Sequence, residues 1–249
     1  MAHGKELKNR TIKRMKTREA INTIPHIVTA GNLLAGALAC IMALRGTEEV
    51  AWGLMGYQMA ALCIAIAAVF DYCDGFVARL LHTVTAIGKE LDSLCDCVSF
   101  GLAPAFLMFG LMRDYSPDSM WCYTTLLIPV CGAIRLAMFN VDTTQTRVFR
   151  GLPIPANAVF WIGVAFWYAK HPDVEPWWWV PFIITFSLLM ISRIKMFSLK
   201  LKNLRFKENY HAYFLAIAAV LFLSTSGVPG LAWLIIYYVL ASIVTADEF

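Results

Sequence analysis

Residues 51–70 read AWGLMGYQMAALCIAIAAVF, and residues 71–96 read DYCDGFVARLLHTVTAIGKELDSLCD. The junction at position 71 decides the fold. An uncharged run ends directly in Asp71 and Asp74, and Asp92 and Asp96 lead directly into a second uncharged run, 97–112. An ionised side chain at bilayer depth costs roughly 2.5–3.5 kcal/mol. Two apolar helices that each carry a pair of acids at one end therefore need a bound cation. Asp71 and Asp74 are spaced i,i+3, and Asp92 and Asp96 are spaced i,i+4, so each pair shares one helical face. Two such faces of hard oxygen donors suit divalent metal, Mg2+ or Mn2+.

Composition agrees with a membrane setting. The 249-residue chain is 59% hydrophobic and 15% charged, against about 45–50% and about 25% for soluble domains. Its mean hydropathy is +0.62. The length fits one membrane domain. The first 20 residues are basic and polar, unlike a cleavable signal peptide. The seven cysteines all fall in apolar segments, which reads as small buried hydrophobes and not a disulfide framework. Cys73, Cys95 and Cys97 lie near the acids, so a soft-metal site is a minor alternative.

Working outward, residues 5–20 hold seven Lys/Arg around Leu7, Ile12 and Met15. We read 1–22 as a basic amphipathic segment lying on an anionic leaflet, with a plain basic tail as the alternative. Residues 23–249 form the membrane domain. Apolar segments near 24–44, 50–78, 90–112, 120–140, 155–169, 177–192, 210–225 and 231–245 predict an all-α, polytopic transmembrane bundle. About eight spans are expected, and six are possible because the later segments are short. With the N-terminus cytoplasmic, 18 of the 21 Lys/Arg fall inside; Arg45, Arg113 and Lys170 fall outside. The acids then face the cytoplasm. Trp177–Trp179 reads as an interfacial belt, and the basic run 193–207 as a lipid-facing surface.

The spacing D-x2-D-G-x2-A-R-x8-G-x3-D-x3-D, with eight fixed residues over 26 positions, is met in full from Asp71 to Asp96. In this the chain resembles the CDP-alcohol phosphotransferases. The resemblance implies that Asp71, Asp74, Asp92 and Asp96 hold two divalent cations, Mg2+ or Mn2+, and that Asp96 is also the catalytic base. Gly75 and Ala78 then allow close approach of the nucleotide, and Arg79 meets phosphate. Thr85 and Gly88, at the start of the next helix, join the nucleotide and phosphate set; His82 reads as inert. The family is typically homodimeric.

The acceptor is read from two further runs. Arg135-Leu136-Ala137-Met138-Phe139-Asn140 and Gly151-Leu152-Pro153-Ile154-Pro155-Ala156-Asn157 look like those of the phosphatidylserine synthases in this superfamily. Met138 departs from the pattern, since a basic residue is more usual there. CDP-diacylglycerol and serine are thus the expected substrates, with Arg135 and Asn140 as acceptor-binding candidates. Asn157 and, more weakly, Asn32 are further hydrogen-bonding candidates. Two alternatives stay open. One is the same reaction with glycerol phosphate, inositol or inositol phosphate as acceptor. The other is a divalent-cation transporter. Membrane lipids are expected partners, nucleic acid is not, and the expected location is the inner (cytoplasmic) membrane.

Overall fold

The computed structural model of the chain describes residues 25–81, 86–141, 149–197 and 206–245. The basic segment 1–22, the linker residues His82, Thr83 and Thr85, Arg147 and most of the basic run 193–207 lie outside these residues.

Among the described residues, four helices are long and apolar enough to cross a bilayer: Pro25–Ala43, Gly56–Val77, Ile87–Tyr115 and Met120–Val141. The first is α1. The second belongs to α2 (Gly56–Leu80). The third comprises α3 (Ala86–Asp96), a π-helical segment (Cys97–Leu102) and α4 (Ala103–Tyr115). The fourth opens as a 3-10 turn, Met120–Leu126, and continues as α5 (Leu127–Val141). Four further apolar helices follow: α6 (Ile154–Tyr168), α7 (Val180–Ile191), α8 (Phe206–Ser226) and α9 (Gly230–Val244). The protein is therefore a polytopic helical membrane protein.

The third span is the centre of the bundle. Within it 61% of the apolar window is buried, against 33–39% for the other long spans. It packs on α6, whose Phe160, Trp161 and Tyr168 are among the largest fully buried side chains. Its π segment has a local cause. Pro104 has no amide to give the carbonyl of Phe100, and its ring crowds that carbonyl. The helix widens just before it, and the Ala103 amide reaches back five residues to Val98. Such π segments concentrate at functional sites; this one begins immediately after Asp96.

Among the described residues, two short antiparallel strand pairs lie between the helices. Residues 50–55 are not the start of the second span. Glu49–Ala51 (β1) pairs antiparallel with Leu54–Met55 (β2) around Trp52 and Gly53, both at positive φ. Gln58 then accepts from the Met55 amide at the helix start. Nearby, Asp114 accepts from the Thr47 amide and hydroxyl, at 2.7 and 3.0 Å, and closes this end of the bundle.

The second pair joins Phe149–Arg150 (β3) to Lys195–Met196 (β4) across α6 and α7. Gly151 follows at φ +74, and a Cβ there would lie 2.4 Å from the Met190 carbonyl. Only glycine fits this seat. Its amide donates to Ile194, and the Leu152 amide donates to Leu189. The G-L-P run is thereby pinned to the end of α7, which aims α6. The tryptophan belt is split: Trp177 and Trp178 stack on each other and are exposed, whereas Trp179 turns inward onto Tyr168.

Candidate active site

The last turns of α2 and the second half of α3 bring the acids together. Ligand oxygens of Asp71, Asp74 and Asp92 all lie within 4.8 Å of one another. Asp96 sits one turn beyond Asp92, within electrostatic range of the other three. Buried oxygens Oδ2 of Asp74 and Oδ1 of Asp92 have no hydrogen-bond partner among the described residues. Arg79, Lys89 and Arg135, the cations nearest them in the fold, form no ion pair with the four acids. Unpaired buried carboxylates are costly. Converging, orphaned, oxygen-only donors fit a hard divalent cation, so the acidic triad can bind metal.

Gly75 lies beside this triad, and a Cβ built on it meets nothing within 4 Å. Helix packing therefore does not explain this glycine; its face opens to space a ligand can occupy. Arg79 is exposed in the last turn of α2. Gly88 lies in the first turn of α3. Of Ala78, only its place on α2 is described, and Thr85 lies outside the described residues.

The third and fourth spans meet at a cavity of about 270 Å³. Asp92, Asp96, Arg135 and Asn140 all line it, and Pro153 and Pro155 close one wall. Thus the acceptor candidates open onto one space with two of the acids, Asp92 and Asp96. Lys89 donates to the Asn140 carbonyl at 3.1 Å, and the Asn140 amide donates to Ser93 Oγ at 2.9 Å. These two bonds tie the end of α5 to the start of α3. Arg135 is buried, lies 5.9 Å over the Phe139 ring, and leaves its Nε unpartnered among the described residues.

The motif spacing and this geometry meet in the family comparison, where the CDP-alcohol phosphatidyltransferase model matches residues 22–191. The chain belongs to the CDP-alcohol phosphatidyltransferase family. It is similar to the CDP-diacylglycerol–serine O-phosphatidyltransferase of Mycobacterium leprae, with 35% identity over 239 residues, 90% of this chain and 74% of the relative. The same-named protein of Bacillus subtilis is 32% identical over 148 residues, 59% of this chain and 78% of the relative. An archaetidylserine synthase of Methanothermobacter thermautotrophicus is 35% identical over 138 residues, 55% of this chain and 54% of the relative.

Other residues of this family member take unexpected places. Arg135 also lines a second cavity of about 590 Å³, with Met138, Arg150 and Arg193. Met138 is thus at the position expected for a basic residue, while Arg150 and Arg193 supply charge to the same space. Asn157 is fully buried and accepts from the Trp161 indole at 3.2 Å, a bond within α6. Asn32 donates to Asp96. Lys89 and Ser93 were not singled out by sequence; both stand within the motif's own span, where spacing to the acids was the available signal.

Proposed function

We propose that this chain transfers the phosphatidyl group of CDP-diacylglycerol to L-serine, yielding phosphatidylserine and CMP. The observation that carries the reading is the shared cavity, where Asp92 and Asp96 face Arg135 and Asn140. The relatives' names support serine, since they pair it with both diacylglycerol and archaeal lipids.

In this reading Asp71, Asp74 and Asp92, with Asp96 at their edge, hold two divalent cations, Mg2+ or Mn2+. Bound there, such cations supply charge neutralisation at the diphosphate and at the departing phosphate of CMP. Gly75 leaves room for the nucleotide, and Ala78, Thr85 and Gly88 complete its surroundings. Arg79 meets phosphate oxygens with a forked donor set. Asp96 accepts the proton of the serine hydroxyl. The hydroxyl oxygen forms a bond to the phosphorus carrying diacylglycerol, and the bond from that phosphorus to the CMP oxygen breaks. Arg135 pairs with the serine carboxylate, and Asn140 borders the same space. The acids face the cytoplasm, with the N-terminus on that side, and the enzyme works as a homodimer in the cytoplasmic membrane.

One observation favours a second reading. The arginine-lined cavity beside Arg135 suits an acceptor that carries phosphate, such as glycerol phosphate or inositol phosphate. CMP release from CDP-diacylglycerol, measured with serine, glycerol phosphate, inositol phosphate and inositol in turn, separates the two. Serine alone supports turnover if our reading holds. Turnover with glycerol phosphate and none with serine would overturn it.

Arg135→Ala refines the test. Loss of a charge-assisted hydrogen bond is worth roughly 1.5–3 kcal/mol, or about 10- to 150-fold. The serine KM is expected to rise by that factor while the CDP-diacylglycerol KM stays near its original value. Steady-state kinetics with each substrate varied will show it. An equal rise in both would assign Arg135 to phosphate binding or to structure.

A further inference from the structure

Asp96 is held from behind by the first span. The Nδ2 amide of Asn32, on α1, donates to Asp96 Oδ1 at 3.3 Å. Asn32 is fully buried, and its own Oδ1 has no hydrogen-bond partner among the described residues.

Its backbone is anchored independently of that bond. The Asn32 carbonyl accepts from Ser99 Oγ, 3.1 Å away in the π segment. One helical turn on, a Cβ at Gly36 would lie 2.8 Å from Ser99 Cα, so α1 and the π segment touch backbone to backbone. Asn32 is thus set at a fixed height beside Asp96, with its amide aimed across the gap.

The residue type matters. A guanidinium or ammonium here would hold Asp96 as an ion pair and weaken it as a proton acceptor. An apolar side chain would leave the carboxylate free to turn. A neutral carboxamide ties one oxygen without adding charge, while Asp96 still lines the cavity shared with Arg135 and Asn140. The unpartnered Oδ1 is a cost that stability alone does not explain, since such buried orphans in native proteins call for a reason.

We propose that Asn32 is the positioning residue of Asp96, fixing its carboxylate toward the acceptor hydroxyl. This rests on Asp96 being the base, as proposed above.

The test uses the full-length protein in lipid nanodiscs with Mg2+, in the Asn32→Leu and Asn32→Asp variants. Displacement of a catalytic group by about 1 Å costs on the order of 10²-fold. Asn32→Leu is therefore expected to lower kcat by about 10- to 100-fold, with both KM values within about threefold. CMP affinity should not change, and the melting temperature should hold or rise because the orphan is gone. Asn32→Asp keeps the shape, loses the donor, and is expected to be at least as slow. In an Asp96→Asn background, Asn32→Leu should cause no further loss, because coupled residues are not additive.

Wild-type turnover in either folded variant overturns the proposal. So does loss of CMP affinity in step with turnover, which would make Asn32 a strut of the nucleotide site. A full further loss in the Asp96→Asn background overturns it as well. If Asp96→Asn itself turns over normally, the base assignment fails, and that failure is seen apart from the behaviour of Asn32.

Discussion

Asp96→Asn is expected to lower turnover by about 10²-fold or more while CMP binding stays within about tenfold of wild type. The substitution keeps the side chain's shape and one oxygen donor. It removes the group that can take the hydroxyl proton. The triad of Asp71, Asp74 and Asp92 is untouched, because its oxygens converge without Asp96. Single-turnover CMP release and CMP calorimetry on the same preparation separate the two effects. Normal turnover would move the base elsewhere, and collapse of CMP binding would make Asp96 a metal ligand first.

Removal of metal should have the larger effect. Activity is expected to vanish on dialysis against chelator and to return with Mg2+ or Mn2+. The reason is electrostatic. Buried oxygens of Asp74 and Asp92 are unpartnered among the described residues, and Arg79, Lys89 and Arg135 form no ion pair with the four acids. A cation that binds only the folded site also stabilises it, by about 2.7 kcal/mol at a hundredfold excess over Kd. The melting temperature should therefore rise with Mg2+ concentration, independently of turnover. Full activity in metal-free buffer would sink the metal assignment.

The motif was legible because helix geometry converts sequence spacing into shared faces. Spacing alone put Asp71 with Asp74, and Asp92 with Asp96, on shared faces; that the two faces form one site was implied by the family resemblance. The apolar runs likewise marked the helices to within a few residues, since hydrophobic length is what a bilayer selects. Contacts between distant segments were not legible. Asn32 and Asp96 are 64 residues apart. Asn32 is the only carboxamide in α1, which marks it as unusual but does not name its partner. The hairpin at Glu49–Met55 was hidden because its residues are as apolar as the helix they precede. The π segment was hidden because a proline inside a span signals a disturbance without saying which kind. For Asn157 the partner was likewise not legible: its Oδ1 accepts from Trp161 in its own helix, and its Nδ2 is unpartnered among the described residues.

Gly151 has a consequence for how the enzyme comes into being. Its amide and that of Leu152 bond to carbonyls of Ile194 and Leu189, about forty residues later in the chain. A nascent polypeptide carries its four acids into the membrane early, and those acids can meet metal as soon as α2 and α3 are side by side. The two backbone bonds that clamp the run before Pro153 and Pro155 cannot form until α7 has been synthesised and inserted. On the proposed assignment, the cluster of acids can thus assemble before the clamp that shapes the cavity opposite it, which waits for the seventh helix.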